Sequence, residues 1–144
     1  MPRNKPKLLL LDTHIWIWLM NADAILNHKT YLRTIEEYSE QEALRISAIS
    51  VWELGMLVAK KRLILSNGLY AWVQESLKTQ GLSVEPLSID ILLESTQLGN
   101  HAHADPADRM IVSTAKHLKA TLMTADAKMI SYCLDSNLPV FPIK

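Results

Sequence analysis

Apolar residues fall along this chain in two kinds of block: short continuous runs, and longer stretches in which they recur every three or four positions. The first run, KLLLLD at 7–12, has no polar face and is closed by an acid, the pattern of a strand buried on both sides. THIWIWLMN at 13–21 is apolar around most of its circumference, which predicts a helix that is deeply buried or partly covered by another chain. NHKTYLRTIEEYSEQ at 27–41 is polar and helical. LRISAIS at 44–50 reads as a second buried strand running into a helix, SVWELGMLVAKKR at 50–62, whose basic end suits the negative pole of its dipole. SNGLYAWVQESLKTQG at 66–81 predicts a helix capped by Ser66 and stopped by Gly81. SVEPL at 83–87 is a weak strand, and SIDILLESTQLG at 88–99 a helix. HADPADRMIVSTA at 103–115 opens another helix ahead of ATLMTAD at 120–126, a strand. A short helix at 126–136 and the strand LPVFPI at 138–143 follow, the latter placed at an edge by its two prolines. Alternating strands and helices predict a three-layer α/β domain around a mostly parallel central sheet.

Composition narrows the picture. With 144 residues, 49% of them hydrophobic, the chain can bury one sizeable core and is short for two, so a single domain over 1–144 is expected. Fifteen lysines and arginines balance fifteen acids, and no global field draws it to nucleic acid or an anionic membrane. Cys133 is alone, which excludes an internal disulfide and fits a reducing compartment. Asp12 and His14 interrupt the N-terminal apolar run and no small-residue cleavage site follows, so neither a signal peptide nor a membrane span is expected and the cytoplasm is the default location.

Ligands of open α/β sheets bind beyond the carboxyl ends of the strands, and the acids cluster at those junctions. Asp12 ends the first strand, Glu53 lies in the opening turn after the second, Asp105 and Asp108 open the helix before ATLMTAD, and Asp126 follows that strand. Each has a plain structural account: Ser50-x-x-Glu53 is a capping box, Asp105-Pro106 an N-cap with proline at N1, and Asp126 another cap. Facing points further. Asp108 heads the stripe Ile111, Val112, Ala115, Glu53 shares its face with Met56 and Leu57, and Asp12 ends a strand that should be central. If the strands are neighbours, carboxylates about 5 Å apart repel by roughly 3 kcal/mol per pair at an effective dielectric near 20. A cation would answer that repulsion, and oxygen ligands without thiolates favour Mg²⁺ or Mn²⁺ over Zn²⁺.

LLLDTHIWIW, SAISVWELGMLVAKKRL, DPADRMIVSTA, LMTAD and the closing PVFPI, in this order over nearly the whole chain, resemble the PIN domain family and within it the VapC-like toxins of bacterial toxin-antitoxin pairs. The resemblance implies a three-layer α/β/α fold and a metal-dependent endoribonuclease. Its four acids fall on Asp12, Glu53, Asp108 and Asp126 as ligands of one or two Mg²⁺ or Mn²⁺ ions, which would activate a water and neutralise the leaving 3′ oxygen. Asp105 matches an additional acid of the DPxDR branch and is assigned a supporting or capping role. Thr13 is either a donor to the metal cluster or substrate phosphate or a plain N-cap, and Arg109 either holds a phosphate or pairs with Asp105. Ala107 and Ser113 depart from the family's bulky residue and alanine without touching a carboxylate. Implied partners are an RNA substrate, an antitoxin protein received by the helical pair VWELGMLVAKKRL at 51–63 and LYAWVQESLKTQ at 69–80, and a second copy of the chain.

Other features read more blandly. His101 and His103 form a His-x-His pair best taken as a solvated loop, and His14 a wall residue rather than a general base. Lys60, Lys61 and Arg62 complete a helix end or touch an RNA backbone. Trp16, Trp18, Trp52 and Trp72 are expected mainly in the core. A dehalogenase-like phosphatase would need Asp-x-Asp where this chain has Asp12, Thr13, His14, and a receiver domain fits only in fragments. The competing reading is a PIN scaffold without catalysis that binds protein or RNA, against which the retention of all four acids argues.

Overall fold

In the computed structural model, which describes residues 7–99 and 104–144, the apolar runs form the middle of a sheet. β1 (Leu9–Leu11) lies parallel to β4 (Thr121–Thr124) on one side and to β2 (Leu44–Ser47) on the other. β3 (Leu82–Glu85) and β5 (Val140–Pro142) complete a five-stranded sheet in the order β3-β2-β1-β4-β5. All pairings are parallel, so the expected mostly parallel sheet is wholly so. β5 pairs only with β4, and Pro142 sits in it without breaking a central ladder.

Among the described residues seven helices surround the sheet: α1 (Thr13–Met20), α2 (Lys29–Glu40), α3 (Ala48–Ala59), α4 (Leu69–Ser76), α5 (Ile89–Ser95), α6 (Pro106–Leu118) and α7 (Ala127–Asp135), with a 3-10 turn at Ala24–Leu26. Alternation along β1 shows why both faces must be covered. Leu9 and Leu11 pack with Ile15, Trp16, Ile46 and Leu54 in one apolar layer. Leu10 joins Ile111, Val112, Ala115 and Met129 of α6 and α7 in the other. Helix α5 runs along α6, where the buried Ser113 hydroxyl donates to the Ile91 carbonyl at 2.7 Å. None of the described helices is long and apolar enough to cross a membrane.

Three local expectations are corrected. β2 ends at Ser47, whose hydroxyl accepts from the Ile49 N–H, so α3 begins at Ala48 rather than 50. Ser50 is then inside the helix and the Ser50–Glu53 capping box does not form, because Ser47 already supplies the cap. α4 starts at Leu69 behind Gly68, which has φ +84° and no side-chain cap, leaving Ser66 exposed in the preceding loop. Nor does Gly81 stop that helix, which ends at Ser76. At φ +78° Gly81 leads into β3, where a Cβ would come within 2.2 Å of the Ser39 carbonyl oxygen, so the glycine is required by close approach to α2. Third, Trp52 is not a core residue: it is 58% exposed, while Trp16 is fully buried against Trp72 with ring centroids 5.1 Å apart. His101 and His103 lie outside the described residues.

Candidate active site

Running outward from the sheet's centre in one direction to β2 and β3 and in the other to β4 and β5, the chain reverses its order between β1 and β4. A crevice opens at the carboxyl ends of strands at such a point. Here it is a cavity of about 320 Å³ lined by Asp12, Glu53, Asp105, Asp108 and Asp126, with Thr13, His14 and Trp18 at its sides. The carboxylates predicted from scattered positions thus converge.

Cap and pocket residue turn out to be compatible roles. Asp12, Asp105 and Asp126 are the N-caps of α1, α6 and α7, accepting from the N–H groups of Ile15 (3.1 Å), Asp108 (3.1 Å) and Met129 (2.9 Å). Each cap fixes its carboxyl group at a helix N-terminus, where the partial positive charge offsets some of the crowding. Thr13 is therefore not a cap. Its hydroxyl donates to Glu53 Oε1 at 2.5 Å and lies 2.7 Å from the Ser50 hydroxyl. Since a hydroxyl carries one proton, Ser50 must donate to Thr13, giving a chain Ser50 to Thr13 to Glu53 that holds α3 against α1.

Thr124, to which the sequence reading assigned no role, is the second such relay. At the end of β4 and fully buried, it donates to Asp12 Oδ2 and accepts from the Asp126 N–H at 3.0 Å. Its position in the quoted LMTAD was the available signal: a hydroxyl two residues before an acid, at a strand's end. Arg109 is not among the residues lining the cavity, and its Nε donates to the Ser95 carbonyl at 3.0 Å, tying α6 to α5.

The electrostatics are those of a crowded anionic site. Burial pushes the Asp12 carboxyl above its ordinary value, against the lowering effect of Thr124, the Ile15 and His14 N–H groups and the His14 ring. Glu53 is raised for the same first reason, with the charges of Asp105 and Asp12 adding and Thr13 and His14 opposing. Carboxylate oxygens of Glu53, Asp105 and Asp108 all lie within 4.8 Å of one another. That spread is close enough for a hard cation with oxygen ligands at about 2.1 Å to gather them with small side-chain rotations. The clustered donors are oxygen alone, with the His14 ring at the cavity's side and no thiol near: Cys133 is buried in the α6–α7 layer, its thiol pushed up to about 11 by desolvation. These residues fit Mg²⁺ or Mn²⁺ and do not suit a thiolate-seeking metal. Asp105 belongs to the tight cluster, whereas Asp12 and Asp126 line the same cavity outside it.

The PIN domain family model matches residues 9–134. The chain belongs to the PIN domain family. It is 30% identical over 127 residues to a protein named Ribonuclease VapC22 from Mycobacterium tuberculosis, covering 86% of this chain and 91% of that one. Among solved structures, VapBC2 from Rickettsia felis bound to a promoter DNA fragment matches 95% of this chain and 99% of its own with a TM-score of 0.71 and 20% identity. A toxin-antitoxin complex from Klebsiella pneumoniae matches 85% and 90% with a TM-score of 0.57 and 22% identity. The likeness to these structures is one of fold.

Proposed function

We propose that this PIN domain is an endoribonuclease that works with Mg²⁺ or Mn²⁺ and is the toxin of a toxin-antitoxin pair. The observation that carries the reading is the gathering of five carboxylates from four separate segments into one cavity at the switch point, in a chain 30% identical to a ribonuclease. An acidic pocket of this kind repels the phosphodiester it would cleave, and a divalent ion resolves that conflict.

Asp12, Glu53, Asp108 and Asp126 are assigned as ligands, with Asp105 beside them as cap and neighbouring donor. Bound there, the ion supplies Lewis acidity to the phosphoryl group and the attacking water. The chain's own part is positioning. Thr124 and the Ile15 N–H lock Asp12 in one orientation, and Thr13 does the same for Glu53. The N-terminal amides of α6 and α7 hold Asp105 and Asp126. Such preorganisation removes the reorganisation that water would otherwise have to supply as charge develops. No side chain is needed as a covalent nucleophile.

Likeness to a toxin-antitoxin complex supports an antitoxin as protein partner, a second copy of the chain is the further partner of this reading, and a lone buried thiol suits a cytoplasmic enzyme. The test is cleavage of total RNA by purified protein. With Mg²⁺ or Mn²⁺ defined fragments should form, and EDTA or Asp108→Asn should abolish them. Absence of cleavage with either ion, or cleavage unchanged in the variant, would replace the nuclease with a binding module.

A further inference from the structure

Trp52 stands one residue before Glu53 on α3 and is 58% exposed, although its helical neighbours Ser50 and Leu54 are fully buried. An indole left in water forgoes the burial that its size would bring. Its ring walls a groove of about 280 Å³ that also includes Met56, Lys60 and Arg62, and that shares Glu53 and Asp105 with the acidic cavity. The two spaces therefore adjoin at these two carboxylates. Glu53 and Lys60 are seven residues apart, two helical turns along one face, or about 10 Å. Lys60 and Arg62 are exposed at the far end. In a chain with no net charge, attraction for a polyanion must be local, and a substrate drawn to a cavity of carboxylates needs a cationic foothold beside it.

We propose that this groove carries a single-stranded RNA segment away from the cleavage site, with one base stacked on Trp52 and the phosphate beyond it held by Lys60 and Arg62. The inference rests on the nuclease reading and adds to it a binding site outside the acidic cavity, Trp52 with Lys60 and Arg62 beyond it. Stacking on an aromatic ring tolerates every base but needs one whose face is not already covered, as it is in a duplex. A basic track with an aromatic platform is the usual form of sequence-tolerant single-strand binding. Trp52 also borders an apolar recess with Ile49, Leu87 and Met110, so a second copy of the chain is the rival occupant.

The test is fluorescence anisotropy with a labelled mixed-sequence oligoribonucleotide and its duplex, using Asp108→Asn protein so that the probe survives. Expected results are binding of the single strand about tenfold tighter than the duplex, and a further loss of about tenfold or more in Trp52→Ala that Trp52→Phe largely restores. Lys60→Ala with Arg62→Ala should flatten the salt dependence of log K by about 0.7, the release from the one phosphate they share. In the otherwise wild-type enzyme Trp52→Ala should raise KM more than it lowers kcat. The proposal is overturned by absent single-strand binding, by equal affinity for the duplex, by no effect of Trp52→Ala, or by that variant turning a dimer into a monomer in sedimentation. Failure of the nuclease reading shows separately, as wild-type protein that binds the single strand without cutting it.

Discussion

Along β1 and β4 the molecule buries carbon; one or two residues further on, at the ends of the same strands, it buries oxygen. Leu9, Leu10, Leu11, Leu122 and Met123 are wholly enclosed between two helical layers, and so, almost as completely, are Asp12, Thr13 and Thr124. The first group stabilises the fold by removing apolar area from water. The second keeps polar atoms in place only because each finds a partner: Thr124 for Asp12, Thr13 for Glu53, amides for the caps. Burying Asp12 raises its pKa despite those partners, so the acidic end sits in a less favourable state than the sheet beneath it. A strongly packed centre allows a strained edge, and the chemistry is at that edge.

The comparison can be broken from either side. The largest effect is expected in Asp108→Asn, which should lower RNA cleavage by about a thousandfold, an amount usual for loss of a key electrostatic group, with the circular dichroism spectrum unchanged. Leu122→Ala should do the reverse: about 3 kcal/mol of stability lost in denaturant titration through the cavity left in the sheet, and normal cleavage per folded molecule. Thr124→Val falls between the two regions. It removes a buried donor from Asp12 and an acceptor from the Asp126 N–H, so about 2 kcal/mol of stability and a good part of the activity should go together.

The smallest effect has the opposite sign. In metal-free protein Asp12 and Glu53 are both raised above their ordinary values. Their favourable contribution is therefore fully present below about pH 4 and lost as pH rises through the folded values. Glu53→Gln removes a charge that burial first, and then the Asp105 and Asp12 charges, disfavour; it should stabilise the metal-free protein at neutral pH by less than about 1 kcal/mol, discounted for the partial exposure of Glu53. It should also flatten the fall in stability as pH rises from about 4, measured by urea unfolding in EDTA. A variant less stable than wild type at neutral pH would show that Glu53 is not strained.

Much of this arrangement was legible in the residues. A continuous apolar run marked β1, ATLMTAD read as the strand that β4 is, and prolines put β5 at an edge. The pairs of acid and helix start identified Asp12, Asp105 and Asp126, and Asp105 and Asp126 cap as expected. What misled was the junction of β2 and α3, where LRISAIS stays apolar across the change from strand to helix and any of its serines could cap. Phase also outranked residue type at Trp52. Ser50 and Leu54 mark the inner stripe, and a residue two positions after Ser50 must point the other way. The relays through Thr13, Ser50 and Thr124 depend on distances between elements far apart in the chain, which no local pattern carries. The same holds for Asp105, whose cap was readable but whose approach to Glu53 was not.

The central claim is that acids from separate elements form one divalent-ion site. It is tested most directly by titrating metal-free protein with Mn²⁺ and following the free-ion electron paramagnetic resonance signal, for wild type beside Asp108→Asn. Saturable binding to wild type that is lost or greatly weakened in the variant is the expected result. Equal binding by the two, or none by wild type, would contradict it.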